Sequence, residues 1–249
     1  MDASQFDLHA RVEDFHWWFK ARRKIIYDLL VKSVPPQEGR TIVEIGCGTG
    51  GNLLFLQKYY DIMGIDISHD AVRYARKRVR CPVVHGDFKD ILNAAWNQFD
   101  AVILPDVLEH IENDRIFLES IIKSIEPGTI ILITVPAHQW LWSHHDIMLG
   151  HERRYSLRAL RSLWQGQEVE EVFLSSFNFV LSPLAIFIRL IKRGVPSSRK
   201  SDLLFLPASL LNALLYIIFS VERILLRFCR LPFGISYVAV IKKKEMDNG

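Results

Sequence analysis

Apolar positions along most of this chain alternate between two rhythms. Short aliphatic and β-branched runs at Thr41 to Ile45, Ile62 to Ile67, Val83 to His85, Asp100 to Leu104 and Thr129 to Val135 predict strands. The last is apolar almost throughout, as in a strand buried on both faces of a parallel sheet. Between them, Asn52 to Tyr60, Ser68 through Arg80, a segment from about Val107, and Asp114 to Ile125 carry helical patterns, with Ser68 as a predicted N-cap. Strands alternating with helices predict a doubly wound, mostly parallel α/β sheet.

Before the first strand, Glu13 to Lys32 predicts a helix: aromatic early, then basic, then aliphatic, and broken by Pro35, Pro36 and Gly39. After Val135 the rhythm stops. Pro136 to Tyr155 is polar and reads as a loop, Ser156 to Trp164 as a helix, Val169 to Leu174 as a strand, and Ile235 to Lys242 as the last strand. Phe177 to Leu231 differs again. It holds two apolar runs, Phe177 to Ile191 and Leu203 to Phe228, joined by a basic loop from Lys192 to Lys200. The domain limits expected from this pattern are an N-terminal helical segment at 1–38, an α/β domain at 39–176 and 232–244, and an apolar helical insertion at 177–231.

The 249 residues suffice for one such domain with an insertion, and 49% hydrophobic with 24% charged residues is ordinary globular composition. A net charge of +3 does not call for a nucleic-acid partner. Cys47, Cys81 and Cys229 are widely spaced and odd in number, which argues for a reducing compartment. Met1 to Arg11 is polar and lacks the apolar core of a secretion signal. A cytoplasmic protein is the expectation.

Candidate chemistry begins where the first strand ends. Glu44-Ile45-Gly46-Cys47-Gly48-Thr49-Gly50-Gly51 places glycines where a backbone must turn tightly and approach a ligand. The helix after them offers free N–H groups to an anion. Twenty residues beyond Gly46, Asp66 ends the second strand, where an acid accepts both ribose hydroxyls. A nicotinamide enzyme uses the same geometry, usually with a GxGxxG frame; here the frame is GxGxG with Glu44 before it.

These residues resemble motif I of the class I S-adenosylmethionine-dependent methyltransferases, in their small-molecule, type 11-like subgroup. Gly64-Ile65-Asp66-Ile67 resembles the ribose-binding segment, Gly86-Asp87-Phe88 the adenine-edge motif, Phe99 to Ile111 the fourth strand and its helix, and Pro127-Gly128 the approach to the fifth strand. The likeness covers about residues 41–136. It implies a Rossmann-like seven-stranded sheet whose last strand is antiparallel, with S-adenosylmethionine as cofactor and S-adenosylhomocysteine as product. It implies cofactor contacts from Glu44, Gly46, Cys47, Gly48, Gly50, Asp66, Ile67, Asp87, Phe88, Pro105 and Asp106. Pro105 departs from the small or polar residue expected in that wall of the pocket.

Phe15-His16-Trp17-Trp18-Phe19 with Arg22 resembles the lid helix of some members. Trp18 would enclose the sulfonium by cation–π contact and Arg22 would meet the methionine carboxylate. The alternative is a helix face packed on the sheet, and both hold if they use different sides. In Pro136–Tyr155, four of the nine histidines crowd the carboxyl end of the fifth strand. An oxygen or nitrogen acceptor needs a base, which histidine suits near neutrality. His145 paired with Asp146 or another acid is the first candidate and His151 the second. His138, Trp142, Arg153, Arg154 and Tyr155 are candidates for holding the acceptor, the arginines for an anionic one. A plain surface loop is the competing reading. Zinc held by His144, His145, Asp146 and His151 has no supporting spacing, and no metal is expected.

Leu203 to Val221 is nineteen residues without a charge, near the length that spans a bilayer. Ser209, Asn212, Tyr216, Ser220, Arg223 and Arg227 fall at helical spacing as one polar stripe. Three readings stay open: a buried core helix, a helical pair on a membrane surface, and a transmembrane hairpin. Charges in the 192–200 loop suit the inner face of an anionic membrane better than a hairpin. The expected function is methyl transfer to an oxygen or nitrogen of a lipid-linked or amphipathic small molecule. A soluble acceptor with the insertion as cap or homodimer interface, and a non-catalytic cofactor-binding protein, are the alternatives.

Overall fold

The computed structural model describes residues 10–92, 99–193 and 209–245. A seven-stranded sheet runs through it: β1 (Thr41–Ile45), β2 (Asp61–Asp66), β3 (Val83–His85), β4 (Ala101–Pro105), β5 (Ile130–Pro136), β6 (Val169–Phe177) and β7 (Ser236–Lys243). The strand order is β3-β2-β1-β4-β5-β7-β6. β1 to β5 are parallel, and β7 enters antiparallel between β5 and β6, pairing Ile133 with Ala239. This is the Rossmann-like methyltransferase sheet that the motif spacing implied. The strand order reverses direction between β1 and β4, so the ligand crevice of such a sheet lies outside their carboxyl ends.

The helices are α1 (Trp17–Ser33), α2 (Gly51–Leu56), α3 (His69–Arg78), α4 (Phe88–Leu92), α5 (Asp114–Ser124), α6 (His144–Leu149), α7 (Leu157–Ser162), α8 (Ser182–Arg193) and α9 (Ser209–Phe228). Ser68 caps α3 through a bond from the Ala71 N–H, as its position predicts. Successive strand residues point to opposite faces. Val43, Val102 and Ile131 therefore pack with Leu118, Ile121 and Leu160 on one side. Ile42, Ile103 and Leu132 pack with Ile25, Ile26, Leu29 and Leu30 of α1 and Phe219 and Leu226 of α9 on the other. Each such aliphatic side chain stabilises the fold by about 1.5–3 kcal/mol when fully buried, so the second half of α1 is a core element.

Two expectations are corrected. The helix expected from Val107 is a single 3-10 turn, Leu108–His110, and regular helix starts only at Asp114. The supposed loop Pro136–Tyr155 contains a 3-10 turn at Gln139–Leu141 and α6, which Ser143 and Asp146 open with a reciprocal capping box. In α9 the packing decides which face is covered. Its polar stripe is turned inward onto α1: Asn212 bonds the Trp17 N–H and the Phe15 carbonyl, Tyr216 lies under Lys20 and Lys24, and Arg223 holds Asp28 at 2.8 Å. The outward face is apolar. The basic loop expected at 192–200 lies outside the described residues except for the backbone of Lys192 and Arg193, as does the run 203–208.

Candidate active site

The predicted cofactor residues converge on the carboxyl ends of β1, β2 and β4. The loop after β1 is tied to β2: the Gly46 and Cys47 N–H groups donate to the Ile65 carbonyl at 2.8 and 3.1 Å. Gly46 has φ +73°, and a Cβ there would lie 2.6 Å from Val107, so no side chain fits. Gly48 has φ +54° with nothing within 4 Å of a built Cβ, so the backbone there faces open space on its exposed side. Asp66 buttresses this loop. Its Oδ2 accepts from the Gly48 N–H and its Oδ1 from the Ser68 N–H, each at 2.8 Å. Burial raises its pKa against those two bonds. Ile67 beside it is 75% exposed, an apolar surface offered to whatever lies over Asp66.

Glu44 is buried beneath the loop. Its Oε1 accepts from Asn52 Nδ2 at 2.7 Å, while Oε2 has no partner among the described residues. Burial pushes its carboxyl up to about 8, opposed by the Asn52 bond and by Arg22. An unanswered buried carboxylate oxygen beside a glycine turn fits the ammonium group of S-adenosylmethionine, and Asp66 fits its ribose hydroxyls. Asp87 is exposed and accepts from the Lys89 N–H. Pro105 ends β4, and Asp106, with φ +57°, begins the far wall.

Several predicted contacts are placed elsewhere. Cys47 is buried and turned toward the Gly64 backbone, with its thiol pKa pushed up by burial, so it offers the crevice its backbone only. Phe88 is packed in the core edge-on to Phe117. Arg22 does not stand free for a carboxylate. It pairs with Asp106 at 2.6 Å, donates to Thr134 Oγ1 at 3.0 Å, and lies under the Trp18 ring at 5.0 Å. The first half of α1 therefore covers the strand ends through Trp18 and Arg22 while the second half packs in the core. Ahead of α1, Glu13 reaches the same loop, accepting from Thr49 Oγ1 at 2.6 Å and ion-pairing with Arg78.

The residues after β5 are arranged differently from the sequence expectation. Asp146 is fully buried and does not pair with His145. Consecutive helix residues point about 100° apart, and His151, returning past the end of α6, faces Asp146 instead. Its Nδ1 lies 3.0 Å from Asp146 Oδ1. Asp146 also binds Arg154 Nη2 at 2.7 Å and accepts from the Ser143 N–H at 2.8 Å. Against burial, those partners hold its carboxyl far below the usual range.

Arg154 is thereby buried structure and not an anion receptor. Arg153 pairs with Asp114 at 3.1 Å and donates to the Glu112 carbonyl. The Tyr155 hydroxyl lies 2.6 Å from Asp114 Oδ2 in the core, and burial raises its pKa. Arg153 and Tyr155 pin the segment to the start of α5 and Arg154 ties it to α6 through Asp146, and none presents its polar end to an acceptor. His138, with φ +61°, stacks on Phe233 at 4.9 Å, and its pKa is lowered by burial. Trp142 is half-buried at the end of the second 3-10 turn.

Two residues were overlooked. In the 3-10 turn three residues past Asp106, Glu109 is completely buried, and neither carboxylate oxygen has a partner among the described residues. Burial and nearby Asp106 hold its carboxyl well above the usual range. His110 Nδ1 lies 3.1 Å from the Gly150 carbonyl, and its ring stands edge-on to His151 at 4.8 Å. Burial lowers the pKa of His110. The readable signal was Glu-His at the end of an apolar strand, where a turn presents side chains to the crevice.

Residues 17–173 match the family described as "Methyltransferase domain". Ajmaline N-methyltransferase of Rauvolfia serpentina is 28% identical over 162 residues, 61% of this chain and 54% of that protein. A probable S-adenosylmethionine-dependent methyltransferase of Mycolicibacterium smegmatis is 26% identical over 162 residues, 63% of this chain and 61% of that one. The chain spans about half the length of the curated relatives it matches. Among solved structures, a SAM-dependent methyltransferase from Archaeoglobus fulgidus superposes with TM-score 0.57 at 20% identity, covering 89% of this chain and 94% of the other. The plantazolicin methyltransferase BpumL, in complex with SAH, superposes with TM-score 0.58 at 16% identity, covering 98% and 89%. The chain belongs to the methyltransferase-domain family, and its cofactor is S-adenosylmethionine.

Proposed function

We propose that this protein transfers the methyl group of S-adenosylmethionine to an oxygen or nitrogen of an amphipathic, lipid-like small molecule. The cofactor half of the reading rests on Glu44, the Gly46–Gly50 turn and Asp66. On the acceptor half, His151 takes the place first given to His145. Asp146 fixes its Nδ1–H tautomer and leaves Nε2 to accept a proton. The acceptor O–H or N–H gives its proton to Nε2, and the heteroatom lone pair forms the bond to the methyl carbon. The C–S bond breaks with its electron pair going to sulfur, which cancels the sulfonium charge and leaves S-adenosylhomocysteine. Solvent then removes the proton from His151.

The observation that carries the choice of acceptor is the outer face of α9. Leu210, Leu214, Ile217, Val221, Ile224 and Phe228 form one stripe, from 45% exposed at Val221 to 86% at Phe228. The same helix is long and apolar enough by composition to cross a membrane, with mean hydropathy 1.7 and 17% of the window buried. Its polar side is bonded to α1, which favours a helix held flat against the body and dipping its outer face into a lipid surface. The 4-3-4-3-4 spacing of the stripe supports a second reading, in which two copies pair along it as in a coiled coil and the acceptor is soluble.

Vesicle flotation and methyl-label partition separate the two. With tritiated-methyl S-adenosylmethionine and a cell extract, the proposal expects the protein to float with anionic vesicles and the label to enter the organic phase. A dimer that ignores vesicles and labels only water-soluble material would favour the second reading.

A further inference from the structure

Glu109, His110 and His151 each offer one ligand atom, and these atoms lie within 4.8 Å of one another. We propose that they form a binding site for a divalent first-row transition ion, built as two imidazoles and one carboxylate. The inference rests on the reading of His151 as an acceptor-side residue and gives that side its ligand chemistry.

Four observations carry it. First, Glu109 is fully buried with both oxygens unanswered, although a buried carboxylate needs a partner of opposite charge or donated hydrogen bonds. The charges of Arg22 and Arg154 and the Glu109 N–H act on it in part, but neither oxygen has a well-formed hydrogen bond among the described residues, and a cation between the rings would supply the missing partner. Second, both imidazoles are already oriented as ligands. His110 has its Nδ1 on the Gly150 carbonyl and His151 has its Nδ1 on the Asp146 carboxylate. With each Nδ1 donating, each Nε2 keeps a lone pair, the arrangement that outer partners impose on metal-bound histidines. Third, those partners are themselves fixed. Asp146 is held by Arg154 and Ser143, and the Gly150 N–H closes α6 on the Ile147 carbonyl. Fourth, the spacing is close to what an ion needs: ligands about 2.1 Å from a tetrahedral centre stand about 3.4 Å apart, within rotamer adjustment of the 4.8 Å limit here.

The donor set selects the ion. Two nitrogens and one oxygen suit zinc, cobalt, manganese or iron(II), whereas calcium and magnesium prefer all-oxygen shells. Three protein ligands leave coordination positions open. One of them would take the acceptor's oxygen and lower the pKa of its hydroxyl. His151 Nε2 cannot bind the ion and accept the proton at once, so the proton-accepting role proposed above belongs to the metal-free protein; with the ion bound, Nε2 is a ligand and the hydroxyl proton leaves to solvent.

The test uses the full-length protein stripped with chelator and titrated with Zn2+, Co2+ and Mg2+, reading stoichiometry by calorimetry and, for Co2+, visible absorption. One Zn2+ or Co2+ per chain is expected, with far weaker Mg2+ binding. Glu109→Gln and His151→Ala should each weaken Zn2+ binding by about 100-fold or more, beyond the roughly 10–100-fold loss typical of outer-partner changes. His144→Ala, on the exposed side of α6, should leave it intact. Melting curves with S-adenosylmethionine show that each variant is folded. Absence of one-to-one binding, or equal binding by the Glu109→Gln and His151→Ala variants, overturns the site. The metal-free protein separates this from the proposed reaction. Lost turnover on His151→Ala with no metal binding would leave the transfer reading standing and end this one. Metal binding with turnover indifferent to chelation would keep the site and remove its role in transfer.

Discussion

Asp146 Oδ1 lies 3.0 Å from His151 Nδ1, and the same carboxylate is 2.7 Å from Arg154 Nη2. One fully buried acid thus orients a histidine and neutralises a buried guanidinium. Removing it strands the Arg154 charge. Breaking a buried pair in this way costs about 3–5 kcal/mol. Asp146→Ala should lower unfolding stability by that amount in urea titrations, whereas His144→Ala, at an exposed position of the same helix, should change it by less than about 1 kcal/mol. Equal losses would contradict the assigned pairing.

The Glu44 carboxyl is raised from its ordinary 4.5 to about 8 by burial. The folded, ligand-free protein therefore holds a proton that the unfolded chain has released, and stability contributed by this group falls as pH rises through that window and levels off above it. An ammonium group placed on Glu44 favours the carboxylate, so cofactor binding near pH 7 should release up to about one proton. Calorimetry in buffers of different ionisation enthalpy reads this release. It should vanish above about pH 9, where Glu44 is already ionised. Buffer-independent heats at neutrality would contradict the placement.

Arg22 joins the N-terminal helix to the far wall of the crevice through Asp106 and Thr134. A double-mutant cycle of Arg22→Met and Asp106→Asn should give a coupling of about 0.5–3 kcal/mol in stability. The Arg22→Met protein should also bind S-adenosylmethionine more weakly, because Trp18 loses the cation beneath its ring. Independent effects of the two changes would mean that the helix is held over the site by other contacts.

Gly48 combines a left-handed φ of +54° with open space on its Cβ side. Gly48→Ala should cost about 1–2 kcal/mol in stability from backbone strain. Its Cβ also enters the space kept for the cofactor, so binding should weaken by more than stability falls. A variant that binds S-adenosylmethionine normally would place the ligand away from this loop.

The sheet was legible because its strands are continuous apolar runs and its turns carry glycine and acid at fixed spacing. Of the expected cofactor residues, Cys47 in the loop after β1 and Phe88 at the start of α4 turn their side chains into the core, which local sequence does not reveal. The segment after β5 was harder to read. Its helix α6 has no apolar period to betray it, although Ser143-His144-His145-Asp146 spells a capping box. His145 beside Asp146 in sequence suggested a pair that helix geometry forbids. Arg153, Arg154 and Tyr155 carry polar ends that meet Asp114 and Asp146, and such partners are invisible to local pattern. α9 inverted the usual rule by bonding its polar stripe to α1, so which face would be exposed depended on a helix far away in sequence.

Methyl transfer by the His151→Ala protein tests the acceptor-side role of His151 most directly. Tritiated-methyl turnover should fall by about 10²- to 10⁴-fold, the usual contribution of a proton-accepting group, while S-adenosylmethionine affinity stays within about twofold of the parent, well under 1 kcal/mol. Unchanged turnover with unchanged affinity would place the acceptor elsewhere and contradict the account.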